Sequence, residues 1–211
     1  MPPPPAEPAT GLPPTTAVLL PVKAFGSAKG RLDRALANSE RAALAERLAT
    51  LVAQAANDLP VVVVTDDDAV ARWTDRMNAR LIWRPARGLN DAVAHGVSRL
   101  ATEGIDRVVV AHADIPRAHD LDRVGDFAGI TLVPDRHRDG TNVIALPTRS
   151  GFRFAYGPGS FARHLLEAER VGLPRRLYFD DDLAWDVDTP DDLSVLEAPK
   201  NVVTKPQDAG A

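Results

Sequence analysis

The chain has 211 residues and a formal net charge of −4, enough for one domain with a real hydrophobic core. It contains no cysteine, which excludes disulfides, thiolate metal sites and cysteine nucleophiles and fits a cytoplasmic protein. The acidic balance gives no support to a general nucleic-acid-binding surface, and no apolar run approaches the roughly 18 residues of a membrane span.

The N-terminus, MPPPPAEPATGLPPTT, is proline-rich and polar and lacks the charged start and apolar middle of a signal peptide. Residues 1–15 and 199–211 therefore read as disordered tails around a folded domain at 16–198. An apolar run at 17–20 predicts a buried strand. It breaks at Pro21 into a loop that offers Lys23, Lys29 and Arg31 among the small residues Ala24, Gly26, Ser27 and Ala28. Small residues let a backbone approach phosphates, and the cations neutralise them, so the loop suits a triphosphate; a solvated basic loop fits the same residues. Neither GxxxxGK[ST] nor GxGxxG is present.

A helix follows at 39–57, with Leu44, Leu48, Leu51, Val52 and Ala55 on one stripe and Asn38 or Ser39 as its cap. The run at 61–64 is β-branched throughout, as in a strand covered on both faces. Asp66, Asp67 and Asp68 open a helix at 69–78, then come a strand at 80–83 and a helix from Asn90 or Asp91 to Thr102. The strand at 108–111 ends in His112, Ala113 and Asp114, placing an acid where open α/β sheets hold their ligands. A short helix at 120–127, a strand at 130–133, a polar loop through Thr141 and Asn142 and a strand at 143–146 follow. GPGS leads into a helix at 161–170, an anion site by its N–H groups and dipole. Strands at 177–179 and 184–187 and a last helix around Pro190 complete the chain. Alternating strands and helices predict an α/β domain with a mostly parallel central sheet, with an antiparallel addition over the site after residue 130.

Asp114 and Asp186, in AWDVDTP, stand out as hard oxygen ligands from separate strand ends, a common way to hold Mg2+ together with phosphates. Read singly, each also serves as a turn or helix-cap aspartate. The five histidines show no metal-ligand spacing, and His112 reads as packed or solvated.

Six segments together, PVKAFGSAKGRL, GLNDAVAHGV, VVVAHADIP, DGTNVIALP, FAYGPGSFARH and DVDTPDDL, resemble the guanylyltransferases of coenzyme F420 biosynthesis, which act on 2-phospho-L-lactate or phosphoenolpyruvate. The resemblance implies a single-domain, Rossmann-like nucleotidyltransferase, similar to the molybdenum-cofactor guanylyltransferases. It implies that Asp114 and Asp186 bind Mg2+ and that Thr141, Gly157 and Ser160 cradle the phosphorylated three-carbon acid. Lys23, Lys29 and Arg31 would hold the GTP phosphates, Lys23 with a catalytic share, and Asn90 would lie near the nucleoside. GMP would pass to the acid with release of pyrophosphate, a downstream transferase would take up the unstable product, and a homodimer is allowed. No nucleic acid or membrane is expected as a partner. The acceptor stays open among phosphoenolpyruvate, 2-phospho-L-lactate and 3-phospho-D-glycerate; alanine- and arginine-rich usage tilts it to phosphoenolpyruvate. A nucleotidyltransferase for molybdopterin or a sugar phosphate is the first rival, opposed by a first loop that is not of the LAGG type. A GTP-binding module without catalysis is the second.

Overall fold

A computed structural model describes residues 15–29, 32–33, 35–85 and 87–197; Arg31 and the predicted tails, apart from Thr15, lie outside them. β1 (Thr16–Pro21), β2 (Val61–Thr65), β3 (Arg80–Trp83), β4 (Arg107–Ala111), β5 (Ile130–Pro134), β6 (Thr141–Pro147) and β7 (Arg175–Leu177) form one seven-stranded sheet in the order β3-β2-β1-β4-β6-β5-β7. β3, β2, β1 and β4 are mutually parallel, β5 pairs parallel with β7, and β6 runs antiparallel to both its neighbours.

Side-chain alternation along the strands divides the core. On one face Val18, Leu20, Val63 and Val109 pack with Val52 of α1 (Asn38–Gln54), Trp73 of α2 (Asp68–Arg76) and Val124 of α4 (Leu121–Gly125). On the other, Leu19, Val64, Val108 and Val110 pack with Val93, Val97 and Leu100 of α3 (Leu89–Thr102) and Phe161 of α5 (Ser160–Val171). The β-branched runs are buried on both faces because helices cover both, as the parallel-sheet reading requires. Asp67 caps α2, its Oδ1 accepting from the N–H groups of Ala69 and Val70, each at 3.0 Å. Among the described residues, no helix is long and apolar enough to cross a membrane.

Several expectations are corrected. The antiparallel strand does not lie over the site; β6 is inserted within the sheet between β4 and β5. Thr141 and Asn142 begin that strand instead of ending a loop, because the His112 N–H donates to the Asn142 carbonyl at 3.0 Å and extends the ladder. The last strand is displaced to Arg175–Leu177. Residues 184–187 form no strand: Trp185 and Val187 are anchored against Leu32, Leu44 and Leu48 instead of against a ladder. α1 begins at Asn38, and its entry is closed by Glu40 Oε2 accepting from the Ala37 N–H at 2.7 Å, not by Asn38 or Ser39.

Candidate active site

The carboxyl end of β4 brings three chain segments together. His112 continues from β4, the start of β6 lies beside it, and the Val187 N–H donates to the Asp114 carbonyl at 3.2 Å. Asn142 Nδ2 donates to the Leu183 carbonyl at 3.1 Å, and the Arg136 N–H donates to the Ala184 carbonyl at 2.8 Å. These bonds fix the 183–188 segment against the sheet end. With Trp185 and Val187 buried as anchors, alternation turns Asp186 and Asp188 the other way, beside Asp114.

The segment is also held from behind. Asp192, on the first turn of α6 (Pro190–Glu197), is buried, and its Oδ2 accepts from the N–H groups of Asp188 and Thr189 at 3.0 and 2.8 Å. Arg136 Nη2 donates to Oδ1 of the same carboxylate at 2.6 Å. Burial pushes the Asp192 carboxyl up, but these hydrogen bonds overcome it and hold it below its ordinary range.

At the centre lies the ammonium of Lys29, whose side chain is 7% exposed. It is 2.7 Å from Asp114 Oδ2 and 3.5 Å from Asp188 Oδ1, and it donates to the Val187 carbonyl at 2.5 Å. Lys29 takes a left-handed backbone conformation, φ 57°, to turn inward. Burial raises the Asp114 carboxyl, yet Lys29 and His112 outweigh it and the net shift is downward. Asp186 is the opposite case: burial first, then the charges of Asp114 and Asp188, push its carboxyl up.

A divalent cation fits these donors. Asp114 Oδ1 is buried without a hydrogen-bond partner, a costly state that a cation would relieve, and Asp186 is repelled by two neighbouring carboxylates. No cluster of three or more ligating side chains exists among the described residues. One or two carboxylates completed by substrate phosphates and water is the pattern of Mg2+, not of an all-protein cage.

Beside the acids, the backbone of residues 154–159 passes into α5 through Gly157 (φ 120°) and Gly159 (φ 71°), conformations that glycine adopts without the penalty of a Cβ. The Gly157 N–H and the Ser160 hydroxyl have no hydrogen-bond partner among the described residues. Thr141 is buried next to them, its Oγ1 3.0 Å from His164 Nδ1. The Ala155 N–H donates to His164 Nε2 at 2.9 Å, so the proton of the neutral ring resides on Nδ1 and is donated to Thr141. The threonine O–H is left to donate elsewhere. Burial first, then Arg163 and His112, lowers the His164 pKa to about 4.

The residues singled out in the sequence thus fall into groups. Asp114 and Lys29 meet directly, and Asp186 lies near enough for the charge of Asp114 to add to burial in raising its carboxyl; Thr141, Gly157 and Ser160 face the same end of the sheet. Lys23 is exposed in the loop after β1 and has no partner among the described residues. Asn90 is bound to the Tyr156 backbone: its Oδ1 accepts from the Tyr156 N–H at 2.7 Å. Sequence reasoning missed Asp188, Asp192, Arg136 and His164. Asp188 was legible in DVDTP as a second acid two residues on, but a partner as distant as Arg136 leaves no local signal.

One sheet covered by helices on both faces, acids at the carboxyl end of a central strand, a cation beside them and an open N–H cradle alongside suit a nucleotidyltransferase. A solved structure described as a putative nucleotide-diphospho-sugar transferase from Desulfovibrio desulfuricans superposes with a TM-score of 0.72 at 20% identity, covering 90% of each chain. The sequence matches the family described as guanylyl transferase CofC like over residues 16–198, and the chain belongs to that family. It is 36% identical over 191 residues to the phosphoenolpyruvate guanylyltransferase of Sphaerobacter thermophilus, covering 86% of this chain and 92% of the relative. It is 38% identical over 195 residues to that of Conexibacter woesei, covering 86% and 87%.

Proposed function

We propose that this protein transfers GMP from GTP to the phosphate of a three-carbon acid, phosphoenolpyruvate ahead of 2-phospho-L-lactate, and releases pyrophosphate, as a step of coenzyme F420 biosynthesis. The family and the names of its relatives support the reaction class. The observation that carries the site is the Lys29–Asp114 contact at 2.7 Å, beside a cradle whose Gly157 N–H and Ser160 hydroxyl remain open.

In this reading an oxygen of the acceptor phosphate attacks the α-phosphorus of GTP. The new oxygen–phosphorus bond forms as the bond from that phosphorus to the β-phosphate bridge breaks, and pyrophosphate leaves with the bonding electrons. The acceptor phosphate is already anionic near neutral pH, so no general base is required. The chain's part is to hold two polyanions in line and offset their repulsion. Thr141, Gly157 and Ser160 donate to the acceptor. Lys23 pairs with the triphosphate, with Arg31 as a further cation of that loop, while Lys29, its three N–H groups facing Asp114, Asp188 and the Val187 carbonyl, adds its charge from behind and fixes Asp114. Asp114 and Asp186 would hold Mg2+, which would supply positive charge against the transferring phosphates. A cysteine-free chain supports a place in the cytoplasm, and the reactivity of a mixed diphosphate product supports a transferase downstream that draws it off.

The test is pyrophosphate release with Mg2+ and GTP against phosphoenolpyruvate, 2-phospho-L-lactate and 3-phospho-D-glycerate, with ATP and CTP as controls. Release with GTP and phosphoenolpyruvate is expected. GTP binding with no release against any acid would replace this reading with that of a non-catalytic nucleotide-binding module.

A further inference from the structure

The stretch from Phe154 to Gly159 belongs to no strand and no helix, yet side chains from other segments take up its backbone groups. Asn90, in the first turn of α3, grips the backbone of one residue, Tyr156, at two points, one on each of the peptide units that flank its Cα. Its Oδ1 accepts from the Tyr156 N–H at 2.7 Å, and its Nδ2 donates to the Tyr156 carbonyl at 3.3 Å. Arg163 of α5 holds the carbonyls on either side: Nη2 donates to Ala155 at 2.8 Å and Gly157 at 3.3 Å, and Nη1 donates to Pro158 at 2.6 Å. Asp139 Oδ2 accepts from the Gly159 N–H at 3.0 Å. The carbonyls of four successive residues are thereby engaged, while the Gly157 N–H and the Ser160 hydroxyl stay open.

An amide side chain matches the donor–acceptor pair of a peptide in the way a neighbouring strand does. Asn90 is therefore committed to the backbone of Tyr156 with both ends of its amide, and the carbonyl it binds shares a peptide unit with the open Gly157 N–H. Its neighbour Asp91 is likewise engaged, with Arg84 and with the Arg87 N–H, each at 3.3 Å. The start of α3 is built as an anchor for the loop opposite.

We propose that Asn90 is a positioning residue for the acceptor, not a contact to the nucleoside. Through the two peptide units that flank Tyr156, and together with Arg163, it sets the cradle of Gly157 and Ser160 at a fixed distance from α3. This rests on the reading of that cradle as the acceptor site. Losing the latch lets the cradle drift, and misplacement by a fraction of an ångström weakens binding at the cradle alone.

The test is the split of Michaelis constants in Asn90→Ala, Arg163→Ala and the double variant. Each single variant is expected to raise the acceptor KM about tenfold, roughly the loss of one to two hydrogen bonds, and to leave the GTP KM within about twofold. The double variant is expected to show less than the product of the two, since both release one loop. Asn90→Asp, which keeps the acceptor for the Tyr156 N–H, gives a smaller rise and covers the case in which the alanine variant folds poorly. A raised GTP KM with an unchanged acceptor KM, in either Asn90 variant, overturns the proposal in favour of a nucleoside contact. An unchanged pair of constants overturns it outright. Amide hydrogen exchange decides the latch even without turnover: the Tyr156 amide should exchange faster in Asn90→Ala, and equal exchange refutes the latch. Wild-type protein inactive with every acid fails the acceptor reading instead.

Discussion

Asp114 carries two loads that separate on mutation. Its Oδ2 pairs with a nearly buried ammonium, while its Oδ1 has no partner. Asp114→Asn keeps the shape and halves the charge available to Lys29, which retains the Val187 carbonyl and Asp188. Turnover should fall at least about a hundredfold, the scale of losing a preorganised electrostatic contact, while the melting temperature moves by no more than a few degrees; a variant with full turnover sinks the assignment. His164 makes a prediction of its own. Its pKa is lowered to about 4 in the folded state against roughly 6.5 in an unfolded chain. Between those values the unfolded state binds the proton and the folded state does not. The contribution to stability is therefore complete above pH 6.5 and is lost progressively as pH falls to about 4, for a total on the order of 3 kcal/mol. Denaturant midpoints measured from pH 7 to pH 4 should show that slope, and His164→Gln should flatten it. An identical slope in the variant would place the titration elsewhere.

At the scale of elements, tight backbone approach decides the outcome. Gly129 precedes β5, where the Ile130 N–H donates to the Pro174 carbonyl at 2.8 Å. A Cβ on Gly129 would lie 1.9 Å from that carbonyl oxygen. Gly129→Ala must push apart the backbone that pairs β5 with β7, and it should cost more than about 2 kcal/mol, read as a shift in the urea midpoint; a neutral substitution would contradict the packing. This constraint is invisible in the sequence, since nothing near Gly129 marks Pro174 as its neighbour. The parallel strands, by contrast, were legible: β1 is a short apolar run and β2 and β4 are β-branched runs, and hydrophobic pattern specifies them. The segment 184–187 was misread for a related reason. Its buried Ala184, Trp185 and Val187 look like a strand, but Trp185 and Val187 are anchored in a satellite cluster with Leu32 and Leu44, and pattern cannot distinguish a ladder from an anchor. Asn90 illustrates the limit for function, because a residue type suited to contacting a nucleoside is equally suited to gripping a peptide.

For the whole molecule, the sheet order explains why the site lies where it does. Parallel β1 and β4 deliver the Lys23–Lys29 loop and Asp114 to one end, and antiparallel β6 starts at that end, so Thr141 enters beside them. The order of the six family segments along the chain was readable, but their convergence on one edge depends on β6 lying between β4 and β5, which no local signal records. A guanylyltransferase acting through this edge joins two phosphorus atoms that begin on separate molecules. The most direct measurement is phosphorus-31 NMR of a running reaction of GTP, phosphoenolpyruvate and Mg2+ with the protein. The account predicts two mutually coupled doublets from a newly formed diphosphate diester, growing in step with free pyrophosphate. Conversion of GTP to GDP and inorganic phosphate without those doublets, or a spectrum that does not change while GTP binds, would contradict it.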